Sequence, residues 1–509
     1  KLNERIAIID LGSNSIRLVI FQIYENGAYN LIHRKKENGR LSGGMIEGEK
    51  LVLTRAAMER TIESLKGFSY ICKFFNVDQI IAVATAAVRE SENGEYFIKL
   101  AEEETGIKFK ILSGEEEAVL GCVGAINTLD VNDAVFLDIG GASTEITYIK
   151  DRKIHSSASF PFGAVVLTEM FNTADEIPEE SLRAMHNYVA SYLDKIPWMK
   201  DLNVPIVGIG GTARSLTRID QKLKKYPFPK IHNYRFGNMA FNKIYSMLTG
   251  VNLKERKKVP GLNSDRADII TAGAIAIKEI SDTVKSTNFI VSDCGLREGL
   301  FFNYYFNLRQ EDQVISDILM HSVYNVLLFY NASISHAECV TNSAVEMFDS
   351  WQELHKMSDR SRELLKVASL LHDVGISINY FNHAKHSAYI IENARLLGLT
   401  HREQMLTAMI TNWHDNYQTK GTRFKIYNEF LDDVDWEIAR KTSTFLSLAE
   451  SVQSVPAKTP KTVKAKIKGD TAYLTIQCPD FRNNDLEAVR KEAKRFEKEF
   501  GLKLIIEKQ

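Results

Sequence analysis

Arg5-Ile-Ala-Ile-Ile-Asp10-Leu-Gly-Ser-Asn-Ser15-Ile-Arg-Leu-Val-Ile20 reads as two apolar runs joined by a turn of small residues, with a carboxylate where the first run ends. The plan returns as Asp133-Ala-Val-Phe-Leu-Asp138-Ile-Gly-Gly-Ala-Ser143-Thr-Glu-Ile-Thr-Tyr148. Each copy predicts strand, Asp-x-Gly-x-x-Ser turn, strand, and together they predict a duplicated fold. Gly lets main chain approach an anion, Ser and Asn donate side-chain hydrogen bonds, and consecutive N–H groups in such a turn form a nest. An Asp beside the nest can hold a metal that offsets phosphate charge. Ordinary hairpins use the same turn formers. The repetition is what points to two turns clamping phosphate from opposite sides.

At 509 residues the chain is too long for one core, so three or four domains are expected. Lys plus Arg number 64 against 65 Asp plus Glu, for a net charge of −1, which excludes a generally basic nucleic-acid binder and leaves room for local cationic patches. Cys72, Cys122, Cys294, Cys339 and Cys478 are scattered without a CxxC pair, as in a reduced cytoplasmic protein. Apolar runs are short and interrupted by charge, so no membrane span or signal segment is expected; the first residue is not Met and is set aside for targeting.

Periodicity divides the chain into four parts. Residues 1–127 alternate strand and helix, with helices predicted at Thr54 to Phe75 and Ser91 to Thr105. Residues 128–306 repeat the alternation, with strands at Ala134 to Asp138, Glu145 to Lys150, Val204 to Ile209 and Phe289 to Asp293. Residues 307–457 are almost wholly helical, as the spacing Leu364-Leu365-x-Val367-Ala368-x-Leu370-Leu371 shows. After Pro456 and Pro460, residues 458–509 predict a small strand, strand, helix, strand domain with one helix over Leu486 to Phe500.

Four further segments join the turns. Ile80-Ile-Ala-Val-Ala-Thr85-Ala-Ala-Val-Arg89 reads as a strand that delivers Arg89, a guanidinium suited to phosphate. Ile111-Leu-Ser113-Gly-Glu-Glu-Glu117-Ala reads as strand, Ser N-cap and acidic first turn of a helix. Val207-Gly-Ile-Gly210-Gly-Thr212-Ala-Arg-Ser runs a strand into a helix N-terminus. Asp265-Arg-Ala-Asp-Ile-Ile-Thr-Ala-Gly-Ala reads as a tightly packed structural helix.

In this order DLGSNS, ATAAVRE, SGEEEA, DIGGAST, GIGGTARS and SDCGLREG resemble the exopolyphosphatase and guanosine pentaphosphate phosphohydrolase family. The resemblance implies α/β lobes of the duplicated actin, sugar kinase and Hsp70-like (ribonuclease H-like) kind, then an all-α HD-like domain and a small α/β tail domain. It implies that Glu117 is the catalytic carboxylate that orients or deprotonates water, and that Asp138, Glu145 and Asp10 place a divalent metal, Mg²⁺. Ser13, Asn14, Arg89, Gly141, Ala142, Ser143, Gly211 and Thr212 then hold the terminal phosphates. Ala142 departs from the pattern, which usually has a third Gly. Long members of the family are similar in the two added domains, and dimers resemble the family pattern.

His372-Asp373 ends an amphipathic helix, with His336 before it and His386 and His414 after. The arrangement resembles HD-domain metal phosphohydrolases, in which this set ligates a second divalent metal, with Glu450 standing where those proteins have a final Asp. Lone histidines in helical domains are more often packing residues, so a metal-free relic that shapes a substrate channel is preferred over a metal site. Lys464, Lys466 and Lys468 alternate on one strand face, as a guide for polyanion or as protection of an exposed edge. The Lys254-Glu-Arg-Lys-Lys258 cluster is expected to be solvated.

The family resemblance implies Mg²⁺-dependent hydrolysis of the terminal phosphate of inorganic polyphosphate, and the chain is expected to be a cytoplasmic enzyme without nucleic-acid or membrane partners. The alternatives are hydrolysis of pppGpp to ppGpp at the same residues and a non-catalytic (p)ppGpp-binding regulator, against which the Glu117, Asp138 and Glu145 set argues. A kinase of the same superfold lacks a recognisable adenosine-pocket motif.

Overall fold

The computed structural model describes residues 3–39, 41, 45–47, 50–310, 313–415, 428, 430–455 and 458–509, with residues 45–47 and 50 described by backbone alone. Pro456, placed in a linker by the sequence, lies outside the described residues. The chain divides into two compact units, one of Lys1–Glu25 with Tyr29–Ile318 and one of Leu319–Gln509 with Asn26–Ala28.

The first unit carries the duplication. One sheet has five strands in the order Tyr29–Glu37, Ile16–Tyr24, Asn3–Leu11, Gln79–Ala84, Phe109–Ile111. The other has six, in the order Lys153–Phe160, Thr144–Lys150, Ala134–Ile139, Ile206–Ile209, Phe289–Val291, Tyr234–Phe236. Each sheet begins with three antiparallel strands and continues with two parallel ones, and in the second sheet Tyr234–Phe236 adds an antiparallel edge. Register repeats as well: Asp10 pairs with Arg17 in one hairpin and Asp138 with Glu145 in the other.

Strand Ala134–Ile139 shows why these hairpins are fixed in place. Val135, Leu137 and Ile139 pack with Met185 and Val189 of helix Glu179–Leu193. Ala134 and Phe136 point the other way, into a cluster with Cys122, Ala125 and Ile126 of helix Gly114–Ile126. A strand buried on both faces cannot slip by one residue without exchanging its two faces, so the turn at its end is held in register. The first hairpin is anchored similarly, with Ala7, Ile9, Leu18 and Ile20 in one core with Leu65 and Phe68 of helix Arg55–Phe74.

Several expected boundaries shift for local reasons. The helix expected from Ser91 begins at Gly94, because Ser91 forms an isolated parallel bridge with Leu51 and Glu92 N–H donates to the Leu51 carbonyl at 3.0 Å. The single tail helix is two, Asn483–Arg490 and Ala493–Phe500. Between them Lys491 and Glu492 donate three residues back, to Ala488 and Val489, a tightened turn that interrupts the four-residue ladder.

The second unit packs helices Ile334–Ser350, Asp359–Leu370, His401–Trp413 and Asp433–Gln453. The tail lies on them: Trp351, fully buried, meets the Phe496 ring at 4.8 Å. The lysine-bearing strand Thr462–Lys468 is the edge of a three-stranded sheet, with Lys464, Lys466 and Lys468 exposed, and its Lys466 carbonyl accepts from Trp351 Nε1 at 3.2 Å. Arg256, expected to be solvated, is instead fully buried and donates to the carbonyls of Leu248, Ala174, Ala267, Asp175 and Val251. No described helix is long and apolar enough to cross a membrane.

Candidate active site

Both hairpins turn the same way at their ends. Gly12 N–H donates to the Ser15 carbonyl at 3.3 Å, and Gly140 N–H to the Ser143 carbonyl at 2.9 Å. The two turns line one cavity of about 140 Å³ in the first unit. Asp10, Ser13 and Asn14 come from the first turn, and Asp138, Gly141, Ser143 and Glu145 from the second. Gly211 and Glu117 complete the set of expected residues on the wall.

Glu117 is positioned by the start of its helix. Ser113 caps Gly114–Ile126 by accepting from Glu116 N–H at 3.1 Å, while the Glu116 carboxylate accepts from Ser113 N–H at 2.9 Å. Glu116 is thereby spent on the cap, and Glu117, one residue on, lines the cavity.

Arg89, Ala142 and Thr212 are not on the cavity wall. Residues Ala86–Arg89 form a short helix rather than the expected continuation of the strand, with Val88 and Arg89 N–H both bonded to the Thr85 carbonyl. Its small first residues let the chain turn there, and Arg89 then donates through Nη1 to Glu117 Oε2 at 3.0 Å and to the Leu112 carbonyl at 2.8 Å. Arg89 therefore grips the carboxylate. Ala142 is buried, and Thr212, also buried, accepts from Arg266 Nη2 at 3.4 Å.

Sequence reading missed the cations. Arg17, Arg214 and Arg266 line the cavity. Arg266 follows from no motif: the segment expected to be a structural helix begins with a short turn of 3-10 helix, Ser264–Arg266, before helix Ile270–Val284. Space for it comes from Gly211, where a Cβ would lie 2.4 Å from Arg266 Nη1. The neighbouring Gly210 has φ +84° and a Cβ there would meet Asp138 Oδ1 at 2.3 Å, so both glycines are required by close approach. The signal available in the sequence was the repeat register, which sets Arg17 where the second copy has Glu145.

Electrostatically the cavity is primed for an anion and a cation together. Burial, with Arg297 and Arg214 nearby, pushes Arg17 down to about 10, and burial with Arg17 nearby does the same to Arg266. Burial raises Asp10 and Asp138, and raises Glu145 well above the usual carboxylate range, with Glu117 adding to it. Glu117 is pushed up to about 7, burial outweighing the hydrogen bond from Arg89. Desolvated carboxylates gain from a divalent cation, and all-oxygen donors suit a hard one. Asp10, Asp138 and Glu145 share the cavity wall but do not converge into a single coordination sphere among the described residues. That fits an ion held by one or two carboxylates and completed by water and substrate oxygens.

In the second unit His336, His372, Asp373 and Glu450 bring ligand atoms within 4.8 Å of one another. His414 lies beside them, its ring 5.5 Å from that of His372, whereas His386 is outside the cluster. His383, not anticipated, places Nε2 3.4 Å from Asp373 Oδ1.

The comparisons with known proteins agree with this architecture. The family model described as the Ppx/GppA phosphatase family matches residues 19–307, and that described as Ppx/GppA phosphatase, domain III, matches residues 318–492. A guanosine-5'-triphosphate,3'-diphosphate pyrophosphatase of Aeromonas salmonicida is 28% identical over 422 residues, 81% of either chain. Among solved structures, the Ppx/GppA family member of Aquifex aeolicus is 29% identical with a TM-score of 0.53, over 61% of this chain and 99% of that one. An exopolyphosphatase of Cytophaga hutchinsonii is 26% identical with a TM-score of 0.55, over 61% of this chain and 100% of that one. The paired lobes thus have the duplicated actin-like α/β fold, with helical and small α/β additions. The chain belongs to the Ppx/GppA phosphatase family.

Proposed function

We propose that the cavity hydrolyses the terminal phosphoanhydride of inorganic polyphosphate, releasing one orthophosphate per cycle, with Mg²⁺ as the divalent ion. In this reading residues 1–127 and 128–306 are the catalytic lobes, and 307–457 and 458–509 are accessory domains. The observation that carries it is the pairing of three cavity arginines with a carboxylate whose pKa is about 7. A terminal phosphate seated between Ser13 and Asn14 on one side and Gly141 and Ser143 on the other brings its oxygens to Arg17, Arg214 and Arg266. Glu117, held through one oxygen by Arg89, accepts a hydrogen bond from water and aligns it against phosphorus. The water oxygen bonds to phosphorus, the bridging P–O bond breaks, and the water proton passes to Glu117. The shortened chain departs with the electron pair of the bridging oxygen. Asp10, Asp138 and Glu145 would hold Mg²⁺, which when bound would neutralise charge on the phosphate oxygens.

Polyphosphate is favoured by the wall of the cavity, where Phe136 is the single aromatic among the described lining residues and offers no stacking pair for a guanine. The second reading, removal of the 5'-terminal phosphate of guanosine pentaphosphate, uses the same residues and is favoured by the Aeromonas relative. Initial rates of phosphate release from long-chain polyphosphate, pppGpp and ATP with Mg²⁺ decide between them. We expect kcat/KM for polyphosphate to lead; the reverse order selects the second reading, and tight guanine-nucleotide binding with no turnover of any substrate contradicts the enzyme.

A further inference from the structure

Asp138, Glu145 and Ser159 stand side by side across three neighbouring strands, Ala134–Ile139, Thr144–Lys150 and Lys153–Phe160. The last two strands are joined by a tight turn of Asp151 and Arg152, with φ of 49° and 60°. Counted straight along the hairpin from that turn, Ala158 would face Glu145. A bulge between Ile154 and Ser156 takes up one residue, so Ser159 arrives there instead and its side chain shares the face of Glu145. The Ser159 hydroxyl donates to Glu145 Oε1 at 3.1 Å. On the other flank of Glu145 the register places a second carboxylate, Asp138, and like charges in that position repel. The Glu145 carboxylate is therefore drawn toward Ser159.

The helix of Glu117 leaves room for this contact. A Cβ on Gly114, the first residue of Gly114–Ile126, would lie 2.4 Å from Ser159 Oγ and 2.5 Å from its Cβ. Glycine is a poor helix former, and what it supplies here is the close approach of Ser159. Ser159 is not itself on the cavity wall, whereas Glu145 and Ser143 are. Glu145 has a second hydroxyl at hand: burial, with Glu117 and Asp138 nearby, raises its pKa, and hydrogen bonds from Ser143 and Ser159 act the other way. A hydroxyl has one proton to give. When Ser143 turns that proton to a phosphate oxygen, Ser159 remains on Glu145.

We propose, on the reading above in which Glu145 helps hold the ion and Ser143 the phosphate, that Ser159 is a positioning residue: it keeps the Glu145 carboxylate turned to the divalent ion while Ser143 is engaged by the terminal phosphate. Without phosphate the two hydroxyls share the task, and Ser143 covers the loss of Ser159. With phosphate bound, a chain lacking Ser159 has one hydroxyl for two acceptors, and ion and phosphate no longer favour each other's binding. Ser159 carries no charge and moves no proton; it acts through Glu145.

The test uses the full chain with Mn²⁺ as a paramagnetic stand-in for Mg²⁺, its free concentration read by electron paramagnetic resonance without phosphate and with saturating orthophosphate. We expect Ser159→Ala to bind Mn²⁺ as wild type does without phosphate, and about 10–100-fold more weakly than wild type with it, as loss of an outer partner of a metal ligand does. Ser159→Thr, which keeps the hydroxyl, restores the affinity, and Gly114→Ala, whose methyl displaces Ser159, reproduces the loss. In steady-state assays with polyphosphate, Ser159→Ala lowers kcat at limiting Mg²⁺ and recovers as Mg²⁺ is raised, with an unchanged melting temperature. Mn²⁺ affinity of Ser159→Ala that matches wild type with orthophosphate present overturns the proposal, and so does a loss equal with and without phosphate, the mark of a packing role. Wild type that takes up no Mn²⁺ under either condition overturns it as well. Polyphosphate left intact by wild type contradicts the proposed function alone, because the Mn²⁺ measurement needs no turnover.

Discussion

At the scale of single residues, the cavity opposes cations and carboxylates that burial has weakened, and each imbalance has a consequence. Arg89 is hydrogen-bonded to Glu117 and opposes the burial that lifts that carboxylate to about 7. Arg89→Ala therefore moves the acid limb of the pH–rate profile to higher pH, so that activity lost at pH 7 is largely regained near pH 9. A uniform loss with an unmoved midpoint contradicts this role. Among the described residues Arg17 donates to Ser15 and Arg266 to Thr212, with no carboxylate hydrogen-bonded to either, and both are read as phosphate donors. A charged hydrogen bond is worth about 1.5–3 kcal/mol, so Arg266→Ala raises KM for polyphosphate roughly 10- to 100-fold, with a smaller change in kcat in steady-state assays. Asp10, Ser13, Asp138 and Ser143 could be read from sequence because a repeated turn announces itself. Arg266 could not, because its role depends on the missing side chain at Gly211 far away in sequence.

At the scale of elements, sequence and structure agree wherever a local device sets the boundary. Thr54 accepts from Ala57 N–H and starts helix Arg55–Phe74 one residue after its predicted start, and Ser113 with Glu116 caps the helix of Glu117. The hairpins were legible because alternation, turn residues and duplication coincide. The tail helix was mispredicted as continuous because neither Gly nor Pro marks its break, which is a tightened turn at Lys491 and Glu492. The short helix that ends at Arg89 was hidden because a single turn that follows directly on a strand is too short to show a helical period. Ser113→Ala removes a reciprocal cap and costs about 1 kcal/mol, read as a fall in the unfolding midpoint, and it loosens the placement of Glu117. Gly210→Ala, at φ +84° and against Asp138, costs about 1–3 kcal/mol in the same measurement and lowers kcat.

At the scale of the whole molecule, the cavity is a site whose own charges oppose folding until ligands neutralise them. Glu117, Glu145, Asp10 and Asp138 all have raised folded-state pKa values, so the folded chain binds protons more readily than the unfolded one. Their favourable contribution is complete below the unfolded values near 4 and is lost as pH rises through the folded ones; for Glu117, at about 7, the loss is on the order of 3 kcal/mol. Mg²⁺ is consequently expected to raise the melting temperature more at pH 8 than at pH 5, in thermal scans of the full chain with and without the ion. The central claim is narrower: Glu117 aligns and deprotonates the attacking water. Its most direct test is kcat/KM for polyphosphate across pH 5 to 9 in wild type and Glu117→Gln, with substrate binding and melting temperature measured alongside. Wild-type rates that climb through an inflection near pH 7, with a variant at least ~10³-fold slower, flat with pH and still able to bind, are the predicted result. A variant that keeps both its rate and its inflection would contradict the account.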